Sequence, residues 1–158
     1  MAINIVLIEP EIPNNTGNIG RLSLAAGAKL HLVEPFGFEL NDKRVKRAGL
    51  DYWKHVDLQI YENVDSFFEE HKDKNMMFLS SHGKKEYTEI EIEDEIFIVF
   101  GKESKGLGGG LCEKYKDNLY SIPIMSPHVR SLNLANAVSI VVYSCISKLS
   151  NNRVSIVK

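Results

Sequence analysis

The sequence predicts an α/β fold, a mostly parallel sheet flanked by helices. Short apolar runs such as Ile3–Ile8, Asn75–Ser80 and Ile96–Phe100 have the continuous hydrophobicity of strands buried on both faces. They alternate with segments of helical periodicity, and Gly, Pro and Asn punctuate the changes.

In chain order, Ile3–Ile8 is a first strand, and Asn15 or Thr16 is the expected cap of a helix over Gly17–Ala26, closed by Gly27. Leu30–Val33 is a second strand stopped at Pro35, and Asp42 is the expected cap of a short helix through Ala48, ended by Gly49. Leu58–Tyr61 follows as a strand. Asn63 then caps an amphipathic helix to His71 that turns Val64, Phe67 and Phe68 inward. After the strands Asn75–Ser80 and Ile96–Phe100 come a helix over Leu107–Lys116 and a short strand at Asn118–Ile122. From Ser131, the expected cap, one helix runs to about Ser150. Its apolar residues, Leu134, Val138, Ile140, Val141, Cys145 and Leu149 among them, cover nearly the whole circumference, which implies burial on all sides and a second subunit as cover. With no repeat, linker or low-complexity segment, residues 1–158 read as a single domain.

Composition excludes several classes. A chain of 158 residues with 44% hydrophobic and 25% charged residues is an ordinary globular one, large enough for a core without staples. Two cysteines, Cys112 and Cys145, make no disulfide framework, and no histidine or cysteine pair has metal-ligand spacing. No apolar run reaches membrane-spanning length and the N-terminus lacks a signal-peptide pattern, so the cytoplasm is the expected location. The net charge of −2 is unevenly spread, with an acidic stretch over 61–95 and a basic balance after it. The densest basic cluster is Lys43, Arg44, Lys46 and Arg47, with Tyr52 and Trp53 close behind. Bases beside aromatics suit phosphate contact and base stacking, although a cluster of this kind is by itself an ordinary solvated helix face.

Three loops leave the C-terminal ends of strands, the edge at which open α/β sheets bind ligands. The first, Glu9–Leu22, fails the dinucleotide fingerprint because Gly17-x-x-Gly20 lacks the leading glycine; Arg21 in the following helix is a candidate phosphate clamp. In the second, Phe100–Leu107, Leu107 follows Gly106 where a Walker loop needs Lys; the glycines permit close backbone approach, and Glu103 is a candidate acceptor. The third, Ser121–Asn136, is stiffened by Pro123 and Pro127 and carries His128, Arg130, Ser131, Asn133 and Asn136.

Together and in this order, "NIVLIEPEIPNNTGNIGRL", "EPFGFELNDKRVKRAGLDYW", "FGKESKGL" and "IPIMSPHVRSLNLANAVSIVVY" resemble the SPOUT class of RNA methyltransferases. The resemblance is strongest to its short TrmL-like members, 2′-O-methyltransferases of the wobble cytidine or uridine of tRNA. It implies a C-terminal trefoil knot, a feature that no propensity argument would suggest. It also implies S-adenosyl-L-methionine as cofactor, a homodimer through the C-terminal helix, and a tRNA substrate. Carried over by position, the cofactor contacts are Leu79, Gly101, Gly106, Leu107, Ile122 and Ser131. Arg21 falls at the catalytic centre, with Asn15 and Asn133 ordering it.

The implied reaction is attack of a ribose 2′-oxygen on a sulfonium methyl group, which leaves orientation and proton removal to the protein and calls for no metal. Arginine stays protonated in proteins, so Arg21 suits phosphate anchoring and alkoxide stabilisation better than a base role, which falls to Ser131 or a water. A chain without an appended RNA-binding domain must recognise RNA with its own surface, which gives Lys43, Arg44, Lys46, Arg47 and Arg130 the role of phosphate contacts. Methylation of ribosomal RNA or another tRNA position, and a non-catalytic knotted RNA-binding factor, are the alternatives.

Overall fold

The computed structural model describes residues 2–41 and 43–150. Seven strands form one sheet in the order β3-β2-β1-β6-β4-β7-β5: β1 Ala2–Ile8, β2 Lys29–Val33, β3 Leu58–Tyr61, β4 Met76–Leu79, β5 Lys85–Glu86, β6 Glu95–Phe100 and β7 Leu119–Ser121. Every pairing is parallel. The helices are α1 Pro13–Ala26, α2 Lys43–Gly49, α3 Val64–Glu70, α4 Gly109–Lys114 and α5 Leu134–Ser150, with a 3-10 segment at Leu50–His55.

Alternate residues of each central strand feed different cores, because strand side chains point to opposite faces. Ile3, Ile5 and Leu7 of β1 join α1 and α5 in one cluster with Ile19, Val138, Val141 and Cys145. Val6 and Ile8 join α3 and α4 on the other face, with Phe67, Phe68 and Leu111. Helices thus cover both faces, which is why the central strands read as apolar runs, interrupted only by the paired Asn4 and His31 in β1 and β2.

The expected strands all form, and β5 is a short addition at the edge. Gly27 closes α1 in the left-handed conformation, and Asn63 caps α3 in a reciprocal box with Ser66. Asp42, the expected cap of α2, lies outside the described residues.

Two helix starts differ from expectation. α1 begins at Pro13 rather than Gly17, with Ile12 at the cap position, so Asn15 and Thr16 lie inside its first turns. Proline is preorganised for the first helical position, and its missing N–H is one the helix would leave unpaired anyway. α5 begins at Leu134, and its cap is Asn133 rather than Ser131: the Asn133 side chain accepts from Asn136 N at 3.3 Å and its carbonyl from Ala137 N at 3.0 Å. The circumference of α5 is also not uniformly covered. Asn136, Ile140 and Tyr143 face outward, whereas Val138, Val141, Val142, Cys145 and Leu149 are buried.

Candidate functional site

The C-terminal strand edge is organised by one carboxylate. β6 ends at Phe100, and the loop beyond it folds back on itself, with Lys102 and Gly106 exchanging both backbone hydrogen bonds at 3.2 and 2.8 Å. Gly101 sits where this turn is tightest; a Cβ there would overlap the backbone of Gly106 and Leu107. The turn projects Glu103, which accepts from Glu11 N at 2.8 Å, Ile12 N at 3.0 Å and Asn15 Nδ2 at 3.2 Å. The N–H groups at the start of α1 have no partner within the helix, and an anion there also meets the positive end of the helix dipole.

Asn15 then passes the connection on. Its Oδ1 accepts from Asn133 Nδ2 at 3.0 Å, and Asn133 caps α5. A single chain, Glu103–Asn15–Asn133, therefore joins the loops after β1 and β6 to the one that enters α5. Two further contacts reinforce it. Lys102 Nζ pairs with Glu9 at 2.6 Å, which raises the lysine pKa. Ser104 N and Oγ donate to Glu11 at 2.9 and 2.8 Å, and these bonds hold the Glu11 carboxyl below its ordinary value. Glu9 adopts φ of 49°, unusual for a residue with a side chain and a mark of backbone strain at the mouth of the site.

Arg21 lies two turns into α1 on its exposed face, in line with Asn14 and Asn18. Its guanidinium lies over the Tyr52 ring, 5.1 Å from the centroid. Ser131 and Arg130 are exposed in the loop before α5. Lys43, Arg44, Lys46 and Arg47 point outward from α2, which is anchored by the fully buried Val45.

Of the expected cofactor residues, Leu79, Gly101, Gly106, Leu107 and Ile122 lie at or shortly beyond the ends of β4, β6 and β7. Strand register sets Leu79 beside both Phe100 and Tyr120, so the ends of β4, β6 and β7, with Gly101 and Ile122 just beyond them, lie next to one another. Leu107 is buried at the end of the glycine turn, and Gly106 precedes it. Apolar side chains at Leu79, Leu107 and Ile122, with side-chain-free backbone at Gly101 and Gly106, are a chemistry that fits an adenosine held by main-chain groups. Among the described residues, no three His, Cys, Asp or Glu side chains could gather on a metal ion, and no helix is long and apolar enough to cross a membrane.

Sequence reasoning linked Asn15 with Asn133 only through the resemblance, and it placed no partner on Glu103. Glu9, Glu11, Lys102 and Ser104 carried no signal of their own, since each pairs across about ninety residues of chain.

The chain belongs to the SpoU rRNA Methylase family, whose profile matches residues 2–143, and so to a class of RNA methyltransferases. It is 45% identical over 141 residues to a tRNA (cytidine(34)-2′-O)-methyltransferase of Saccharophagus degradans, covering 89% of this chain and 91% of that protein. A solved structure described as "Structural insights into the 2-OH methylation of C/U34 on tRNA" superposes with a TM-score of 0.90 at 37% identity, covering 95% of this chain and 97% of the other. The SpoU methyltransferase AviRb of Streptomyces viridochromogenes, solved with the cofactor AdoMet, shares the fold, with a TM-score of 0.84 at 18% identity. That match covers 94% of this chain and 58% of AviRb.

Proposed function

We propose that this protein transfers a methyl group from S-adenosyl-L-methionine to the ribose 2′-OH of the wobble cytidine or uridine of tRNA. The observation that carries the proposal is the Glu103–Asn15–Asn133 chain, which locks the substrate loop, the glycine turn and the start of α5 together. Its support is membership of the SpoU family and near-full-length likeness to a tRNA (cytidine(34)-2′-O)-methyltransferase.

When bound among Leu79, Gly101, Gly106, Leu107, Ile122 and Ser131, the cofactor supplies a sulfonium-activated methyl group. The protein's own work is orientation. Arg21 anchors the phosphate beside the target ribose and stabilises charge developing on the 2′-oxygen. Ser131, exposed before α5, or a water next to it accepts a hydrogen bond from the 2′-hydroxyl and relays its proton to bulk solvent as the oxygen–methyl bond forms and the sulfur–methyl bond breaks. Lys43, Arg44, Lys46, Arg47 and Arg130 hold the RNA backbone.

The same proposal includes a trefoil knot within a single domain over residues 1–158. The crowding that supports the knot is the insertion of β4 between β6 and β7 and the Ser80 N bond to Tyr120 O at 2.9 Å. It also includes a homodimer through α5. Met125, Val129, Leu132, Ile140 and Tyr143, all in the third loop and α5, are exposed large hydrophobics that a second copy would cover. The cytoplasm, where mature tRNA works, is the matching location.

The test is transfer of labelled methyl from S-adenosylmethionine to total tRNA, followed by nucleoside mapping. The expected product is 2′-O-methylcytidine or its uridine counterpart at the wobble position. Label in ribosomal RNA alone, or elsewhere in tRNA, would overturn the assignment. Arg21→Ala should abolish transfer while leaving cofactor affinity within about twofold of wild type; near-wild-type turnover in that variant removes Arg21 from the centre.

A further inference from the structure

The exposed arginine of α1 does not lie free on the surface. The 3-10 segment Leu50–His55 packs along α1, and its Trp53 occupies the space a side chain at position 20 would fill: a Cβ on Gly20 would overlap the indole ring. Trp53 is itself half-buried against the α1–α5 core, and Val56 N closes the segment onto Trp53 O at 3.2 Å. The neighbouring Tyr52 is thereby held at the helix surface, 45% exposed, with its ring face under the Arg21 guanidinium at 5.1 Å.

We propose that Tyr52 is a positioning residue for Arg21, and that Trp53 on Gly20 is the latch that fixes the tyrosine ring. This inference rests on the assignment of Arg21 to the methyl-transfer centre. Arginine has four rotatable side-chain bonds, and an exposed one samples many orientations, each of which misplaces the charge. A planar guanidinium stacked on an aromatic face keeps its N–H edges free for phosphate while its plane is defined. Side chains on a helix also lean toward its N-terminus, which for Arg21 is the end that carries Asn15 and meets Glu103. One face of the Tyr52 ring is thus already occupied by Arg21.

The discriminating experiment compares full-length wild type, Tyr52→Phe, Tyr52→Leu, Arg21→Ala and the double variant Arg21→Ala/Tyr52→Leu. It measures kcat and KM for tRNA together with equilibrium affinities for tRNA and for S-adenosylmethionine. Tyr52→Leu is expected to lower kcat about tenfold with KM and cofactor affinity little changed, and Tyr52→Phe, which keeps the ring, to restore most of it. In the Arg21→Ala background, adding Tyr52→Leu should leave tRNA affinity unchanged, because the tyrosine acts through the arginine. Further weakening in that background would make Tyr52 a direct RNA contact and overturn the inference. So would an undiminished kcat in Tyr52→Leu while Arg21→Ala is inactive. Wild-type turnover by Arg21→Ala would instead remove the underlying assignment of Arg21. Intact cofactor affinity reports that each variant is folded.

Discussion

Glu103 makes three hydrogen bonds to the first loop and so carries more of the site's geometry than its single charge suggests. Glu103→Ala would leave two backbone N–H groups and the Asn15 amide without their acceptor, each worth about 1–3 kcal/mol when bonded to a charged group. Turnover should fall at least about tenfold and the melting temperature should drop, as read by initial rates and a melting curve. His31 is buried on β2, between β1 and β3. Its Nδ1 faces Tyr61 Oη at 2.9 Å and its Nε2 faces Asn4 Oδ1 at 3.0 Å; Asn4 Nδ2 continues to Glu95 at 3.3 Å. Burial, with Lys29 adding to it, pushes the His31 pKa down from 6.5 to about 4, so the folded protein holds this imidazole neutral. The unfolded chain binds the proton first as pH falls. Stability supplied by His31 is therefore complete above pH 6.5 and is lost between there and about 4, by roughly 3 kcal/mol in all. Glu95, lowered chiefly by its bond to Lys74, loses stability in the same direction at still lower pH. Denaturant unfolding at pH 7 and pH 4.5 checks this: the loss should shrink in His31→Asn, and an equal loss in that variant would contradict it.

At the scale of the elements, the glycine turn is the least tolerant. Gly101→Ala must push apart the Gly106–Leu107 backbone and break the Lys102–Gly106 pair, so cofactor affinity should drop at least about tenfold, measurable by calorimetry. Strands and most helices were legible in the sequence because burial on both faces writes continuous apolar runs, and because Asn63 and Gly27 are strong local punctuation. The starts of α1 and α5 were not. Asn15 has an N-cap composition, yet its amide is used between Glu103 and Asn133, so tertiary pairing overrode the local signal. Ser131 yielded the cap of α5 to Asn133 for the same reason, since Asn133 caps the helix and reaches Asn15 at once. Arg21 and Glu103 stood out in the sequence as a possible clamp and acceptor, but their roles, and the cofactor contacts, came only with the family resemblance. Long-range partners such as Lys102 and Glu9 leave no periodic trace in either segment.

Across the whole molecule, charge and apolar surface are segregated. The basic residues of α2 stand outward beside the helix that carries Arg21, while the acidic stretch over 61–95 supplies α3 and the β4–β6 connection. RNA affinity should therefore fall steeply with salt. Replacing Lys43, Lys46 and Arg47 by Gln should flatten the log–log slope by about 0.7–0.9 for each phosphate contact removed, as read by titrations over a salt series. The proposed homodimer would bury the exposed Ile140 and Tyr143 of α5, so Ile140→Glu with Tyr143→Arg should shift sedimentation toward monomer. Both rest on methyl transfer to one ribose oxygen. It is tested most directly by mass spectrometry of an anticodon stem-loop after reaction with S-adenosylmethionine, prepared with either cytidine or 2′-deoxycytidine at the wobble position. The ribose substrate should gain one methyl group and the deoxy substrate none. Equal methylation of both would place the methyl on the base or another nucleotide and contradict the account.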